Sequence, residues 1–208
     1  MPVKVKICGI TRPEDAVTAA RLGADAVGFI FWKKSKRYIS PTIAREIIRA
    51  LPAFLTVVGV YVDPDQEWVR ETIAVAGLNL LQFHGNEPPI FCEQFSLPYI
   101  KATRVKSGVD LLQYSARYSS AKGLLLDAYV ENMPGGTGHV FDWNLIPHNL
   151  PLPLILSGGL HAGNVATAIR QVNPWAVDVS SGVETIYGTK DTQKISAFMI
   201  GVRNSENL

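Results

Sequence analysis

Residues 3–31, VKVKICGITRPEDAVTAARLGADAVGFIF, contain the repeating unit from which the fold is predicted. An apolar run at about 3–8 precedes Pro13–Leu22, whose apolar residues recur at helical spacing, and a second apolar run follows at 25–31. Short runs rich in Val, Ile, Leu and Phe are typical of strands. The stretch therefore predicts a strand, a helix and a second strand.

The same alternation continues through the rest of the chain. Further strands are predicted at 55–62, 79–84, 98–103, 123–127, 153–157 and 175–180, and a further helix at Ala162–Val172. Strands that alternate with helices lie parallel, and eight such units can close on themselves without leaving an exposed edge. We predict an α/β fold, a (β/α)8 TIM barrel in which residues 1–208 form a single domain. The alternative is an open doubly wound sheet. However, successive predicted strands stay about 25 residues apart to the end of the chain, which favours the barrel.

Local signals mark several helix ends. Thr11 and Ser40 precede Pro13 and Pro41, so each is expected to cap a helix whose first turn contains proline. Gly23 is expected to end the first helix in the left-handed conformation.

Composition excludes several classes of protein. Hydrophobic residues make up 47% of the chain and charged residues 18%, as in an ordinary globular domain, and the net charge is +2. So small a charge favours neither nucleic acid nor an anionic membrane as partner, and no apolar run is long enough to span a bilayer. Two distant cysteines, Cys8 and Cys92, do not form a disulfide framework, so we expect a cytoplasmic protein. We expect a monomer, with a homodimer as the alternative.

Polar residues follow the predicted strands, where a βα barrel carries its reactive groups. They are Cys8, Arg37 (in the loop beyond Phe31), Asp63, His84, Arg104, Asp127, Ser157-Gly158-Gly159, and Asp178 with Ser180-Ser181-Gly182.

Two glycine-containing loops follow the last two predicted strands. Glycine lets backbone N–H groups approach an oxyanion, and loops after strands seven and eight are the usual phosphate site of this fold. We predict that Gly158, Gly159, Ser180, Ser181 and Gly182 bind a phosphate group. The alternative is that these are tight turns that need glycine for their geometry alone.

Cys8, His84 and Asp127 each have a plain structural alternative. Cys8 could be a small buried side chain, His84 a hydrogen-bonded wall residue, and Asp127 a cap or an ion-pair partner. No pair has the close spacing of zinc ligands, so we predict no metal. Cys92, in a helical stretch, is interpreted as a core residue.

The ordered motifs resemble the phosphoribosylanthranilate isomerase family over essentially the whole chain. They are Lys6-Ile7-Cys8-Gly9-Ile10-Thr11, Gln82-Phe83-His84-Gly85, Leu126-Asp127-Ala128, Gly135-Gly136-Thr137-Gly138 with Phe141-Asp142-Trp143, Ser157-Gly158-Gly159-Leu160, and Asp178-Val179-Ser180-Ser181-Gly182-Val183-Glu184. One departure is Leu160-His161-Ala162-Gly163-Asn164, where the resemblance leads us to expect a proline in the early turn of the helix.

The resemblance implies an intramolecular oxidoreductase of tryptophan biosynthesis that needs no cofactor. It implies an Amadori rearrangement of N-(5-phosphoribosyl)anthranilate to 1-(2-carboxyphenylamino)-1-deoxyribulose 5-phosphate. By position, Cys8 matches the general base, Asp127 the general acid and Arg37 the residue that meets the anthranilate carboxylate. His84 and Asp178 match polar residues that line the substrate site, and the two glycine loops match the phosphate site.

A thiol with an ordinary pKa is mostly protonated at pH 7, so Cys8 needs a cation nearby to act as a base. Because residues two apart in a strand share a face, Lys6 is expected on the same face as Cys8, and Lys101 is a second candidate for the barrel interior. The alternative is that Lys6 pairs with an acid such as Asp178. The glycine-rich segment 129–139 is expected to close over the substrate, with a plain connector as the alternative.

Three other classes of function would make different demands on these residues. The related indole-forming synthase would use a lysine acid and the histidine-pathway isomerase two aspartates, so Cys8 argues against both. A sugar-phosphate sensor would keep the phosphate loops without needing Cys8 and Asp127 together. A thiol redox protein would need a resolving cysteine, for which Cys92 is poorly placed.

Overall fold

The computed structural model describes residues 2–106, 108–128 and 141–206. Eight parallel strands pair in chain order, and the first strand also pairs with the eighth, so the sheet is a closed barrel. The strands are β1 Lys4–Cys8, β2 Ala26–Ile30, β3 Thr56–Tyr61, β4 Leu80–Phe83, β5 Tyr99–Val105, β6 Leu124–Ala128, β7 Leu154–Leu156 and β8 Ala176–Val179. The predicted barrel and its eight strands are confirmed. The predicted closing segment, 129–139, lies outside the described residues.

Helices surround the barrel and a small hairpin follows β8. The helices are α1 Pro13–Leu22, α2 Pro41–Ile48, α3 Gln66–Ala76, α4 Pro89–Glu93, α5 Leu111–Arg117, α6 Val165–Val172 and α7 Thr192–Glu206. The hairpin pairs β9 Glu184–Ile186 with β10 Thr189–Lys190. None of the described helices is long and apolar enough to cross a membrane.

Two of the predicted helix signals are confirmed and one is wrong. Ser40 Oγ accepts a hydrogen bond from Ile43 N, and Gly23 has φ 97°, as expected of a cap and a left-handed stop. Thr11 does not cap α1: Arg12 occupies the cap position, and the Thr11 hydroxyl donates to Gly188 O. The threonine thus ties the first loop to the β9–β10 hairpin, a partner 177 residues away that local sequence does not reveal.

Helix α6 begins at Val165, three residues after its predicted start. Asn164 Oδ1 accepts from His161 N, and Asn164 Nδ2 donates to Gly159 O. These bonds form a turn over 161–164, the segment in which the expected proline is absent. The amide of Asn164 therefore fastens the start of α6 to the loop after β7.

The barrel interior is apolar in the middle and polar at the carboxyl ends of the strands. One buried cluster contains Ile100, Ala102, Leu125, Ile155 and Ala176, and a second contains Cys8 with Val58 and Val60. Because both sets alternate along their strands with residues that face the helices, the inward side of each strand is fixed.

The prediction that Lys101 shares the barrel interior with Cys8 is wrong. Its neighbours Ile100 and Ala102 face inward, so Lys101 faces the helices, where Nζ is 2.7 Å from Glu87 Oε2. Its ammonium also donates to the carbonyl oxygens of Phe83 and Gly85. Lys101 therefore belongs to the layer between sheet and helices.

Candidate active site

A cavity of about 270 Å3 opens at the carboxyl ends of the strands and gathers most of the predicted site residues. Its wall includes Cys8, Arg37, His84, Asp127, Ser157, Gly158, Gly159, Asp178, Ser180 and Ser181. These residues come from six strands or the loops after them, so only the closed barrel brings them together.

Cys8 ends β1 with its side chain in the cavity wall and 6% of its surface exposed. Gly28 pairs with it in register on β2, and a Cβ at Gly28 would lie 2.8 Å from Cys8 Sγ and 3.1 Å from Lys6 Cε. The absence of a side chain at Gly28 therefore makes room for the thiol and the lysine together. Burial raises the pKa of the Cys8 thiol, and the Asp178 carboxylate adds to the rise, whereas Lys6 opposes it.

Lys6 and Asp178 form a buried ion pair beneath Cys8. Their Nζ and Oδ1 atoms are 2.8 Å apart, and Ser157 Oγ donates to Asp178 Oδ2 at 3.4 Å. Burial alone would lower the pKa of Lys6, but the Asp178 carboxylate and Cys8 raise it above its ordinary value, so the lysine stays charged. The expected ion pair with Asp178 is therefore present, and the effect of Lys6 on ionisation of the Cys8 thiol stays a prediction.

Asp127 faces the cavity from the end of β6 and is buried. Its Oδ1 accepts from Ala128 N at 2.9 Å, and Oδ2 lies 3.3 Å from His84 Nε2 without the geometry of a hydrogen bond. His84 Nδ1 is 3.3 Å from Gln82 Nε2, a contact that suits the tautomer with an unprotonated Nδ1. In that tautomer Nε2 carries the proton, but its N–H does not form a hydrogen bond with Asp127.

Arg37 is buried and is held by Glu184, an acid that no local pattern in the sequence links to it. Its Nε and Nη2 donate to the two carboxylate oxygens of Glu184 at 2.8 and 2.7 Å, and its guanidinium lies over the Tyr187 ring at 4.9 Å. Lys190 Nζ also binds Glu184, at 2.7 Å. Although burial by itself raises the pKa of Glu184, Arg37 and Lys190 lower it below its usual value.

The loops after β7 and β8 touch each other through glycine. A Cβ at Gly158, which has φ 84°, would lie 2.4 Å from Ala128 N, and a Cβ at Gly182 would lie 1.9 Å from Leu160 O. Neither position admits a side chain without displacing backbone. Ser181–Val183 forms a short 3-10 turn beside this contact. Gly182 therefore supports the cavity from behind, while Gly158, Gly159, Ser180 and Ser181 line it.

Some polar residues at strand ends have structural partners away from the cavity. Asp63 N donates to Glu87 Oε1 and Asp63 Oδ1 accepts from Asn86 N, which links the loops after β3 and β4. Arg104 does not line the cavity, and its Nε is buried without a hydrogen-bond partner among the described residues. Cys92 is fully buried in α4, and burial raises the pKa of its thiol to about 12. The interpretation of Cys92 as a core residue is confirmed.

The structure adds Gln82, Trp32 and Tyr187 to the cavity wall and places Glu184 and Lys190 behind it. Gln82 had a signal in the sequence, because it lies two residues before His84 and so shares its face. The others sit in loops or in the hairpin, where no periodicity fixes their direction. Within the described residues, no group of three or more His, Cys, Asp or Glu side chains could hold a metal ion.

The closed barrel and its polar mouth define the molecule as an enzyme of the βα-barrel class. Residues 5–200 match the family described as N-(5'phosphoribosyl)anthranilate (PRA) isomerase, and the chain belongs to this family.

Individual relatives agree with this assignment. The N-(5'-phosphoribosyl)anthranilate isomerase of Nitrosospira multiformis is 69% identical over 208 residues, which cover 100% of both chains. A crystal structure of a phosphoribosyl anthranilate isomerase in complex with reduced 1-(o-carboxyphenylamino)-1-deoxyribulose 5-phosphate has a TM-score of 0.87 and 42% identity. The alignment covers 97% of this chain and 99% of that one. A structure of monomers derived from the dimeric Thermotoga maritima isomerase has a TM-score of 0.87 and 40% identity, with the same coverage.

Proposed function

We propose that this chain catalyses the Amadori rearrangement of N-(5-phosphoribosyl)anthranilate to 1-(2-carboxyphenylamino)-1-deoxyribulose 5-phosphate, with Cys8 as general base and Asp127 as general acid. The observation that carries the proposal is the position of Cys8 and Asp127 in the wall of one cavity, beside the two glycine loops. The two side chains stand on β1 and β6, which are separated by β7 and β8 on the shorter way around the barrel. A sugar ring between them has an acid on one side and a base on the other.

The reaction needs two proton transfers at different atoms. Asp127 donates a proton to the ring oxygen, the bond from that oxygen to C1 breaks, and the nitrogen lone pair forms a Schiff base at C1. The Cys8 thiolate then removes the proton from C2, and the electron pair of that C–H bond moves to give the enolamine. Tautomerisation of the enolamine gives the ketone, so the substrate is rearranged with no net gain or loss of electrons. Proton transfers of this kind each contribute about 10²–10⁴ in rate.

Lys6 is the residue that would favour the thiolate. Its ammonium stays charged beside both Asp178 and Cys8. A cation next to a thiol stabilises the ionised form, whereas burial without a partner disfavours it. Lys6 therefore offsets part of the burial that raises the pKa of Cys8.

The remaining cavity residues would bind the two charged ends of the substrate. Ser180, Ser181 and the glycines at 158, 159 and 182 are assigned to the phosphate group, which the two loops would surround. Arg37 is assigned to the anthranilate carboxylate. Its Nε and Nη2 both donate to Glu184, which fixes the plane of the Arg37 guanidinium. His84 and Asp178 would line the space between these ends.

The wider functional assignments rest on the same resemblance. We propose a cytoplasmic enzyme of tryptophan biosynthesis that acts without a cofactor, as a monomer of one catalytic domain. A homodimer is the alternative, since the Thermotoga maritima relative is described as dimeric. Light scattering after size-exclusion chromatography decides between them.

The proposal is tested by the loss of anthranilate fluorescence from freshly made substrate. Wild type should turn over, Cys8→Ala and Asp127→Asn should each lose at least about 100-fold in kcat, and Cys92→Ala should remain close to wild type. Full activity in both site variants would refute the assigned roles.

The second candidate is a sugar-phosphate sensor built on the same loops. It would bind phosphate but would not turn over the substrate, and Cys8→Ala would leave its affinity unchanged. Absence of turnover by folded wild-type protein would favour the sensor.

A further inference from the structure

Lys190 lies directly behind the loop assigned to the phosphate group. It stands on β10, is 5% exposed, and is not part of the cavity wall. Its Nζ donates to Glu184 Oε1 at 2.7 Å, to Ser180 O at 3.2 Å and to Ser180 Oγ at 3.3 Å. Ser180 does line the cavity, so Lys190 contacts the site directly through Ser180 and indirectly through Glu184, which holds Arg37.

While the Cys8 thiol is protonated, the charges around Lys190 do not balance. Arg37 and Lys190 share the one carboxylate of Glu184, whereas the neighbouring Lys6 has Asp178 to itself. A further acid, Asp15, accepts from the backbone N–H of Lys190, and its carboxylate lies 4.0 Å from Arg12. A buried cation is costly unless a partner compensates it. An anion in the cavity, next to Ser180, would supply that compensation.

Lys190 also determines whether the Ser180 hydroxyl donates or accepts a hydrogen bond toward the cavity. A serine hydroxyl has one proton to donate and lone pairs that accept. An ammonium only donates, so its contact with Ser180 Oγ occupies a lone pair and leaves the proton free to point elsewhere. A phosphate group offers only acceptors in its dianionic form, and a donor already oriented toward it costs no reorganisation on binding.

We propose that Lys190 is a positioning residue for the phosphate group: it fixes the Ser180 hydroxyl as a donor toward the cavity and supplies the positive charge that Glu184 leaves uncompensated. This inference deepens the proposed function and rests on its phosphate site. It concerns a residue that touches no part of the substrate, so its effect should fall mainly on binding of the phosphate group, with a smaller effect through Cys8, whose pKa the Lys190 charge lowers.

The direct test compares two lysines that both contact Glu184. Lys194, in α7, is exposed, and its Nζ donates to the Glu184 backbone oxygen without reaching Ser180. Lys190→Met and Lys194→Met therefore remove equal charge from the same neighbourhood. We expect Lys190→Met to raise both KM and the inhibition constant of inorganic phosphate at least about tenfold, while kcat changes less than about threefold. We expect Lys194→Met to change each of these three constants less than about twofold.

A double-mutant cycle with Ser180→Ala isolates the route through the hydroxyl. If Lys190 acts through Ser180, adding Lys190→Met to Ser180→Ala should weaken phosphate binding much less than Lys190→Met does alone. Two outcomes overturn the proposal: an effect of Lys190→Met no larger than that of Lys194→Met, or full additivity in the cycle. If Lys190→Met does not fold, Lys190→Gln against Lys194→Gln provides the same comparison.

A second readout separates this proposal from the catalytic one. Inorganic phosphate that binds the folded protein raises its melting temperature, whether or not the protein turns over substrate. A phosphate-dependent shift in wild type that is lost in Lys190→Met, without any turnover, would refute the isomerase assignment and support the role of Lys190. Turnover with unchanged phosphate affinity in Lys190→Met would refute the role of Lys190 alone.

Discussion

Cys8 illustrates how the site sets opposing effects against one another within a few ångströms. Burial and Asp178 raise the pKa of its thiol, and Lys6 lowers it. Lys6 is charged because the same Asp178 pairs with it. The acid that disfavours the thiolate therefore also secures the cation that favours it, and the balance depends on Lys6 being present.

We predict that Lys6→Met raises the pKa of Cys8 further, because the variant removes the cation and leaves the Asp178 charge in place. The measurement is the pH dependence of the rate of alkylation of Cys8. The Lys6→Met curve should lie at higher pH than the wild-type curve, because the cation that favours the thiolate is gone. The pKa of Cys92, about 12, keeps that thiol unreactive over the range, and a Cys92→Ala background removes it altogether. Coincident curves for Lys6→Met and wild type would contradict the prediction.

Single residues also show which features follow from the sequence, such as the direction of a strand side chain, and which do not, such as a contact between distant loops. The inward direction of Lys6 and Cys8 follows from strand alternation alone, and the structure agrees. The same alternation turns Lys101 away from the barrel interior, because its neighbours Ile100 and Ala102 face inward. In contrast, nothing local links Arg37 to Glu184, 147 residues away. Pairs of this kind appear only once the barrel has closed.

At the scale of elements, the two glycine loops form one structural unit. Gly182, after β8, approaches Leu160 O, after β7, more closely than any side chain allows. Asn164 then fastens the β7 loop to the start of α6. The glycines and the position of each loop after its strand are visible in the sequence. The contact between the two loops is not, because it depends on the pairing of β7 with β8.

We predict that Gly182→Ala weakens phosphate binding by at least about tenfold, because its Cβ would push the two loops apart. Gly163→Ala is the matched control, since its Cβ would meet only the flexible His161 ring at 3.1 Å. The measurement is KM together with inhibition by inorganic phosphate. Equal effects of the two substitutions would argue against a role for the loop contact.

Outside the cavity, Glu87 and Lys101 connect the loops after β3 and β4 with strand β5. Glu87 accepts from Asp63 N and Gly85 N, and Lys101 donates to the carbonyl oxygens on both sides of His84, at Phe83 and Gly85. The buried pair thus fixes the backbone of β4 where it delivers His84 to the cavity. Sequence did not indicate this role, because Glu87 has no periodic context in its loop.

We predict that Lys101→Met destabilises the protein by about 3–5 kcal/mol, since it leaves Glu87 buried without its cation. Adding Glu87→Gln should recover part of the loss, because the amide is neutral and its oxygen still accepts from the backbone. Unfolding in urea measures both variants, with the exposed Lys122→Met as control. A double variant less stable than Lys101→Met alone would contradict the explanation.

For the whole molecule, closure of the barrel is what makes a site out of distant segments. The strands and most helix positions follow from the period of apolar residues, because each strand is buried on both faces and each helix on one. Closure pairs β1 with β8 and thereby sets Lys6 against Asp178. We propose that residues 1–208 unfold as one domain, so circular dichroism and tryptophan fluorescence should report a single coincident transition.

Buried thiols give the stability of the whole molecule a predictable pH dependence. Cys92 has a pKa of about 12 in the folded protein, whereas a cysteine in the unfolded chain ionises near about 8.5. Between these values the unfolded state has lost the proton that the folded state keeps, so the free energy of unfolding falls by up to about 1.4 kcal/mol per pH unit. Below about pH 8.5 both states hold the proton and Cys92 contributes no slope. Urea unfolding at pH 8, 9 and 10 should therefore show a shallower decline for Cys92→Ala than for wild type, even where the variant is less stable at pH 8. Parallel declines would show that Cys92 ionises equally in both states.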